Sequence, residues 1–287
     1  MNMKETLPTR VGGEDGQQPS YLLGSDELEL ERLSLQGRLL APATREILVK
    51  AGIRSGMSVL DLGCGVGDAS FVAADLVGPT GRVVGIDASG EALALANARA
   101  ERDGVTNVQF LEGDVYDPAP GGPFDAVTAR LVLIHVPDPC ELLRIQASVL
   151  RPGGLFVPID VDIDGIRYVP STPLGDRVIR WVVETFRRSD RPLSLGSNLW
   201  SLMEEAGLHP DGMTGIELCF GPDDPANVVL CVGMVRTLLP IMEKTGVATA
   251  EEIDIASLQQ RLAAEVSEAR SLLAYPPLFG AWATIAG

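Results

Sequence analysis

The sequence predicts an α/β fold, a mainly parallel sheet with helices on both faces and a helical insertion beyond it. Three observations predict it. Short apolar runs alternate with helix-period segments over residues 58–161. The first run ends in a glycine-rich turn that opens a helix. The next two runs each end in an acid, where such sheets bind ligands.

Residues 1–20 are polar, with glycine and proline, and read as a flexible leader without a signal-peptide core. A helix is expected from Ser25, which can cap it, with Asp26 and Glu27 at its positive end. It is expected to end before Pro42, with Gly37 a weak point inside it. Residues 21–45 thus read as a cap helix and residues 46–165 as the core. Candidate strands are 58–62, 82–86, 108–111, 124–128 and 155–161. After the first, Ala69, Val72, Ala73 and Leu76 recur at helical spacing. A second helix follows Ser89. A third begins at Asp138, where Asp138, Pro139 and Glu141 supply the cap, the first-turn proline and the capping-box acid. Its apolar stripe is Leu142, Ile145 and Val149, and Pro152-Gly153-Gly154 is expected to stop it.

Past residue 165 the rhythm changes. Residues 166–212 read as a helical lid, with helices near 174–188 and 197–206. Residues 213–287 are expected to complete the sheet, with a strand near 216–220, long helices near 226–244 and 250–273, and a last apolar run at 278–285.

Composition narrows the function. A formal charge of −16 repels phosphate backbones and anionic lipid, so neither nucleic acid nor a membrane surface is an expected partner. The longest apolar run, Val228 to Val235, is far shorter than the ~20 residues of a membrane span. Cys64, Cys140, Cys219 and Cys231 lie far apart, without a CxxC pair, and read as reduced thiols of a cytoplasmic protein. A homodimer is compatible with the sequence.

The first strand runs into Asp61-Leu62-Gly63-Cys64-Gly65-Val66-Gly67-Asp68. A dinucleotide-binding loop would have glycine at 68, where Asp68 stands. Asp61 can hold a cationic group or order the loop. The second strand ends at Asp87, placed to accept hydrogen bonds from both hydroxyls of a ribose. The third ends in Glu112-Gly113-Asp114-Val115, where Asp114 can accept from an adenine amino group. Acids around one glycine turn, with no lysine, suit a ligand that is nucleoside-like but not a phosphate.

At these residues the sequence resembles the class I S-adenosylmethionine-dependent methyltransferases. The resemblance covers residues 55–165 and includes Leu150-Arg151-Pro152-Gly153-Gly154. It implies a Rossmann-like, mostly parallel sheet of seven strands and S-adenosyl-L-methionine as cofactor, with S-adenosyl-L-homocysteine as product. It implies that Gly63, Cys64, Gly65 and Gly67 approach the methionine part, near Asp61, and that Asp87 binds the ribose with Ala88 beside it. Asp114 and the Val115 amide would hold the adenine. Tyr21-x-x-Gly24, Glu31-Arg32-Leu33 and Gln36 resemble small-molecule methyltransferases in which this segment folds over the cofactor. Tyr21 would close the pocket, while Arg32 and Gln36, four apart on one helix face, would hold the methionine carboxylate. Arg130, at the end of the fourth strand, is another carboxylate partner.

On the acceptor side, His135 follows the fourth strand and can take a proton at neutral pH. Asp160 stands second as a base. His209, before Pro210, reads as structural. Alternation puts Asp160, Asp162 and Asp164 on one strand face. An EF-hand does not fit, because Ser171 occupies the twelfth position and a strand precedes. Asp160 and Asp162, at the carboxyl edge, could hold a substrate amine, a proton or a metal, and no metal site is assigned. Tyr168, Trp181, Phe186 and Trp200 either line an acceptor pocket or belong to the core.

Three readings follow. The leading one is methyl transfer to a small organic molecule, such as a quinone-like or secondary-metabolite acceptor, by in-line displacement in which positioning dominates. A nicotinamide-dependent oxidoreductase is the second, disfavoured by Asp68 and the Asp114 motif. A cofactor-binding scaffold or non-methylating cyclase is the third. Thr128-Ala129-Arg130-Leu131 stands where an Asn-Pro-Pro-Tyr or Asp-Pro-Pro-Tyr motif would mark adenine or glutamine amide methylation.

Overall fold

The computed structural model describes residues 27–286, with side chains described from Gln36 onward. Its first helix, α1 (Glu27–Ala51), does not stop at Pro42. The expected start at Ser25 lies outside the described residues. Proline inside a helix costs about 3 kcal/mol. Against that, Leu40, Ala43, Ile47, Leu48 and Ala51 are buried, and each large aliphatic among them contributes roughly 1.5–3 kcal/mol. Burial on one stripe outweighs the lost backbone hydrogen bond.

Next come β1 (Ser58–Leu62), α2 (Asp68–Val77), β2 (Arg82–Asp87), α3 (Gly90–Asp103), β3 (Val108–Glu112), β4 (Phe124–Arg130), α4 (Pro139–Ala147) and β5 (Leu150–Val161). After them lie β6 (Arg167–Val169), α5 (Pro173–Arg188), α6 (Leu199–Glu205), β7 (Gly212–Ile216) and β8 (Cys219–Phe220). The chain finishes with α7 (Ala226–Thr245), α8 (Ala250–Ile253), α9 (Leu258–Ala269), β9 (Leu272–Ala274) and β10 (Leu278–Thr284).

The main sheet has seven strands in the order β3-β2-β1-β4-β5-β10-β7. Strands β1 to β5 pair in parallel, and β10 runs antiparallel to both neighbours. The expected Rossmann-like sheet is therefore present. The chain winds outward from β1 through β2 and β3, then returns to the other side of β1 with β4. The crevice at the carboxyl ends of β1 and β4 is where a sheet of this topology receives a ligand.

Departures from the sequence reading have local causes. Helix α4 is capped by Asp138, whose carboxylate accepts the Glu141 N–H at 2.9 Å. It buries Leu142, Leu143 and Gln146 rather than Ile145 and Val149. It ends at Ala147, and Pro152-Gly153-Gly154 lies inside β5, where the register shifts between the partners of Phe124 and Ala126. The helix expected over 250–273 is interrupted, with Asp254 and Arg270 both left-handed at φ 49° and 53°. The strand expected near 216–220 is two strands in two different sheets.

The second sheet, β6-β9-β8, repeats the lateral order of β5, β10 and β7. Each of those strands connects in sequence to its counterpart there through a short crossing. Helix α5 packs on α7 and α9, whereas α6 packs on α4 and β10. By length and composition α7 would reach across a membrane, but 56% of its apolar window is buried in this structure, where it serves as a core helix.

Helix α1 rests directly on β10, and a Cβ at Gly280 would overlap the Ile47 side chain. Gly280→Val is expected to destabilise the protein by about 1–3 kcal/mol through overpacking, read from urea unfolding. Gly221→Ala, whose Cβ would meet nothing within 4 Å among the described residues, is expected to shift stability by less than about 0.5 kcal/mol.

Candidate cofactor site

The turn after β1 is built from left-handed glycines, Gly63, Gly65 and Gly67, at φ 57°, 52° and 87°. A Cβ at Gly67 would press on the Phe110 and Phe71 rings, and one at Gly63 on Val132. Gly65 differs. Among the described residues nothing lies within 4 Å of a Cβ built there, so the middle of the turn faces open space. Cys64 is buried in the turn, and burial pushes its thiol far above the usual range, which keeps it protonated.

Asp87, at the tip of β2, organises this turn. Its Oδ2 accepts the Gly65 N–H at 2.8 Å and its Oδ1 accepts the Ser89 N–H at 2.9 Å, just ahead of α3. A carboxylate group keeps lone pairs for further donors after two such bonds. Ala88 beside it is exposed. The Asp87 carbonyl accepts the Gly113 N–H at 3.0 Å, tying together the tips of β2 and β3. Exposed Asp114 closes a small turn by accepting the Tyr116 N–H at 2.9 Å. Gln146 of α4 donates to the carbonyls of Val115 and Asp117, each at 2.7 Å, and so fixes the same ledge.

A charged cluster lies on the other side of the turn. Asp61 is 1% exposed and accepts the Ser70 hydroxyl at 2.6 Å. Burial pushes its carboxyl up to about 6, with Ser70 and Arg130 pulling it down. Asp68 pairs with Arg99 at 2.7 Å, and the Arg99 guanidinium sits 5.0 Å from the Phe71 ring centre. Arg130, at the end of β4, donates to Thr44 Oγ1 at 3.2 Å, and Asp68, Asp61 and Tyr275 lie within its electrostatic reach. Helix α1 crosses above. A Cβ at Gly37 would overlap the Asp68 carboxyl, so this glycine is a point of close approach rather than a weak point. Gln36 Nε2 donates to the Tyr275 hydroxyl at 2.6 Å.

The structure thus places Asp61 and Arg130 at the ends of neighbouring strands, with Gln36 of α1 joined to Tyr275 above and Asp87, Asp114 and Val115 on the ledge beyond the turn. Tyr21 and the Arg32 side chain lie outside the described residues. Sequence reasoning did not place Thr44, Asp68 or Tyr275 in the cluster. Asp68 stands out in sequence only as the residue that is not glycine, and no spacing links Tyr275 to the turn.

On the acceptor side, His135 closes a single 3-10 turn, Leu133–His135, after β4. It is half-buried, and its carbonyl accepts from Arg191 Nη1 at 2.6 Å. Asp160 is not open to an acceptor. It is fully buried, with Oδ1 accepting the Val161 N–H at 3.0 Å and Oδ2 the Ile134 N–H at 3.2 Å. Its carboxylate tethers the turn that carries His135. The three aspartates do not share a strand face, because β5 ends at Val161. Asp162 accepts the Ser197 N–H at 2.9 Å and Asp164 the Ser194 hydroxyl at 3.0 Å. Among the described residues no three His, Cys, Asp or Glu side chains come together as metal ligands. Tyr168 and Phe186 are core residues, Trp181 is half-buried, and Trp200 and His209 are exposed.

Residues 53–191 match a family model described as a methyltransferase domain. A demethylmenaquinone methyltransferase of Lactococcus lactis is 38% identical over 112 residues, covering 39% of this chain and 44% of that protein. An arsenite methyltransferase of Aquipseudomonas alcaligenes is 40% identical over 125 residues, covering 41% of this chain and 36% of that protein. The chain spans less than half the length of these two curated relatives. A solved SAM dependent methyltransferase from Aquifex aeolicus aligns with a TM-score of 0.52 at 21% identity, covering 67% of this chain and 93% of that one, and shares its fold.

Burial pushes the Asp160 carboxyl up to about 7 from an ordinary 3.8. Between those values the folded form holds a proton that the unfolded form has lost, so this group's contribution to stability falls as pH rises through that window. Asp61 acts with the same sign up to about 6. In urea titrations from about pH 4 to 8, Asp160→Asn is therefore expected to lose less stability with rising pH than the parent protein. Equal slopes would show that Asp160 is ionised throughout.

Proposed function

We propose that this chain uses S-adenosyl-L-methionine to methylate a small organic molecule. The observation that carries the reading is the division of donors and acceptors around one open glycine turn. On one side, Asp87, Asp114 and the Val115 amide offer what a nucleoside needs. On the other, Arg130 and Gln36 suit a carboxylate, while Asp61 and Asp68 suit an ammonium. A sulfonium nucleoside with a zwitterionic amino-acid end matches that set, and a pyrophosphate does not. Asp68, locked to Arg99 where a dinucleotide loop would have glycine, also counts against a nicotinamide cofactor.

When bound, the cofactor supplies a methyl group that is already electrophilic, so the protein's task is alignment and exclusion of water. Asp87 receives the ribose hydroxyls, with Ala88 at the rim. Gly63, Cys64, Gly65 and Gly67 bring bare backbone close to the methionine part. Arg130 and Gln36 hold its carboxylate, a task the resemblance also gives to Arg32, with Tyr21 as the closing residue. His135, on the turn after β4, takes the proton of an acceptor that must lose one. Asp160 holds that turn and is not itself the base. The two similar enzymes are named for demethylmenaquinone and arsenite. Their names support a small-molecule acceptor, which we take to be quinone-like or a secondary metabolite.

Calorimetry with S-adenosyl-L-homocysteine tests the cofactor, and its release in the presence of quinone-like acceptors tests the transfer. Asp87→Ala is expected to weaken the homocysteine product's binding at least ~10-fold, through the loss of charge-assisted hydrogen bonds, with the circular dichroism spectrum unchanged. Unaltered affinity would remove Asp87 from the site. His135→Ala is expected to lower kcat by roughly 10²-fold while cofactor affinity holds. A normal kcat would mean that positioning alone drives transfer or that another group accepts the proton.

A further inference from the structure

Tyr275 lies far beyond the matched methyltransferase domain, on the crossing from β9 to β10. It is 3% exposed. Its ring meets Phe220 of the small sheet edge to face, at 6.2 Å and 84°. Its backbone N–H donates to the Leu218 carbonyl at 2.9 Å, which joins two of the crossings. The ring is therefore anchored on the small sheet, while the hydroxyl bonds to α1. There it accepts from Gln36 Nε2 of α1 at 2.6 Å, next to Gly37, where a Cβ would overlap the Asp68 carboxyl, and Tyr275, Asp61 and Asp68 are all within electrostatic reach of Arg130.

We propose that Tyr275 is a positioning residue for the amino-acid end of the bound cofactor, its hydroxyl fixing Gln36 beside Arg130, Asp61 and Asp68. The proposal rests on the cofactor reading given above. A zwitterion needs a cationic and an anionic partner held at a set separation. Gln36 and Arg130 come from different elements, a helix and a strand tip, and no covalent neighbour fixes one against the other. A phenol anchored in a third element supplies that reference without adding a charge to an already crowded cluster. Burying a hydroxyl is unfavourable unless it is bonded, so a phenylalanine would pack as well at this position if packing were the whole role. Asp87 and Asp114 lie across the glycine turn, so the influence of Tyr275 is confined to one half of the cofactor.

Tyr275→Phe keeps the ring contact with Phe220 and removes only the hydroxyl. Two probes separate the halves of the ligand in calorimetry. S-adenosyl-L-homocysteine carries the amino-acid end, and 5′-methylthioadenosine keeps the nucleoside without it. The variant is expected to bind the first about three- to tenfold more weakly, the loss of one hydrogen bond, and the second within about twofold of the parent. Gln36→Ala is expected to weaken S-adenosyl-L-homocysteine binding in the parent chain and to add little in the Tyr275→Phe background, because the two act as one unit. Equal losses on both probes, no loss on either, or fully additive losses would overturn the proposal. A parent protein that binds neither probe would overturn the cofactor reading and this proposal with it. A parent that binds both, with Tyr275→Phe indistinguishable from it, would overturn the role of Tyr275 alone.

Discussion

Two carboxylates and a guanidinium withdrawn from water beneath one helix set the terms for the rest of this molecule. Asp61 and Asp68 are both buried, and Arg130 faces them from the end of the neighbouring strand. Such burial is costly unless each charge is paired and hydrogen-bonded. Ser70 binds Asp61, Arg99 binds Asp68, and Thr44 binds Arg130. Thr44 reaches Arg130 only because α1 continues through Pro42, and α1 lies close over Asp68 only because residue 37 is glycine. The path of the helix and the charge pattern of the site are one constraint.

A second layer of order comes from carboxylates that bind backbone. Asp87 holds the glycine turn, Asp114 its own small turn, and Asp160 the turn that carries His135. Each sits at or just past the end of a strand, where amide groups leave the sheet ladder and need acceptors. The acids that mark the site in sequence are therefore also its scaffold. Fixed loops of this kind let an enzyme gain rate from alignment.

The parts of the fold that were legible in sequence rest on local signals. Strand β1 and the helix cap Asp138 depend on residues a few positions apart, and the glycines at 63, 65 and 67 declare their turn through conformations that other residues avoid. What was not legible depends on distant partners. The continuation of α1 past Pro42 follows from packing against α2 and against α7, β5 and β10, the last three more than a hundred residues away. Asp160 had the composition of a base, and only its 0% exposure and its two amide partners show an anchor. Of the candidate site, the ledge of Asp87, Asp114 and Val115 could be located from motif spacing, whereas the charged cluster needed the helix, Arg99 and Tyr275 to be placed.

The repetition of strand order across the two sheets has a mechanical consequence. Three crossings, residues 162–166, 217–218 and 275–277, lie side by side and are too short to act as independent linkers. Neighbouring crossings are also bonded, Asp162 to Pro277 and Tyr275 to Leu218. A row of cross-linked tethers resists twisting and sliding and leaves bending across the row as its softest deformation. The helical body is thus bound to the sheet along that row as a leaf is to its binding, and the row begins at Asp162, two residues past the carboxyl that tethers the turn of His135.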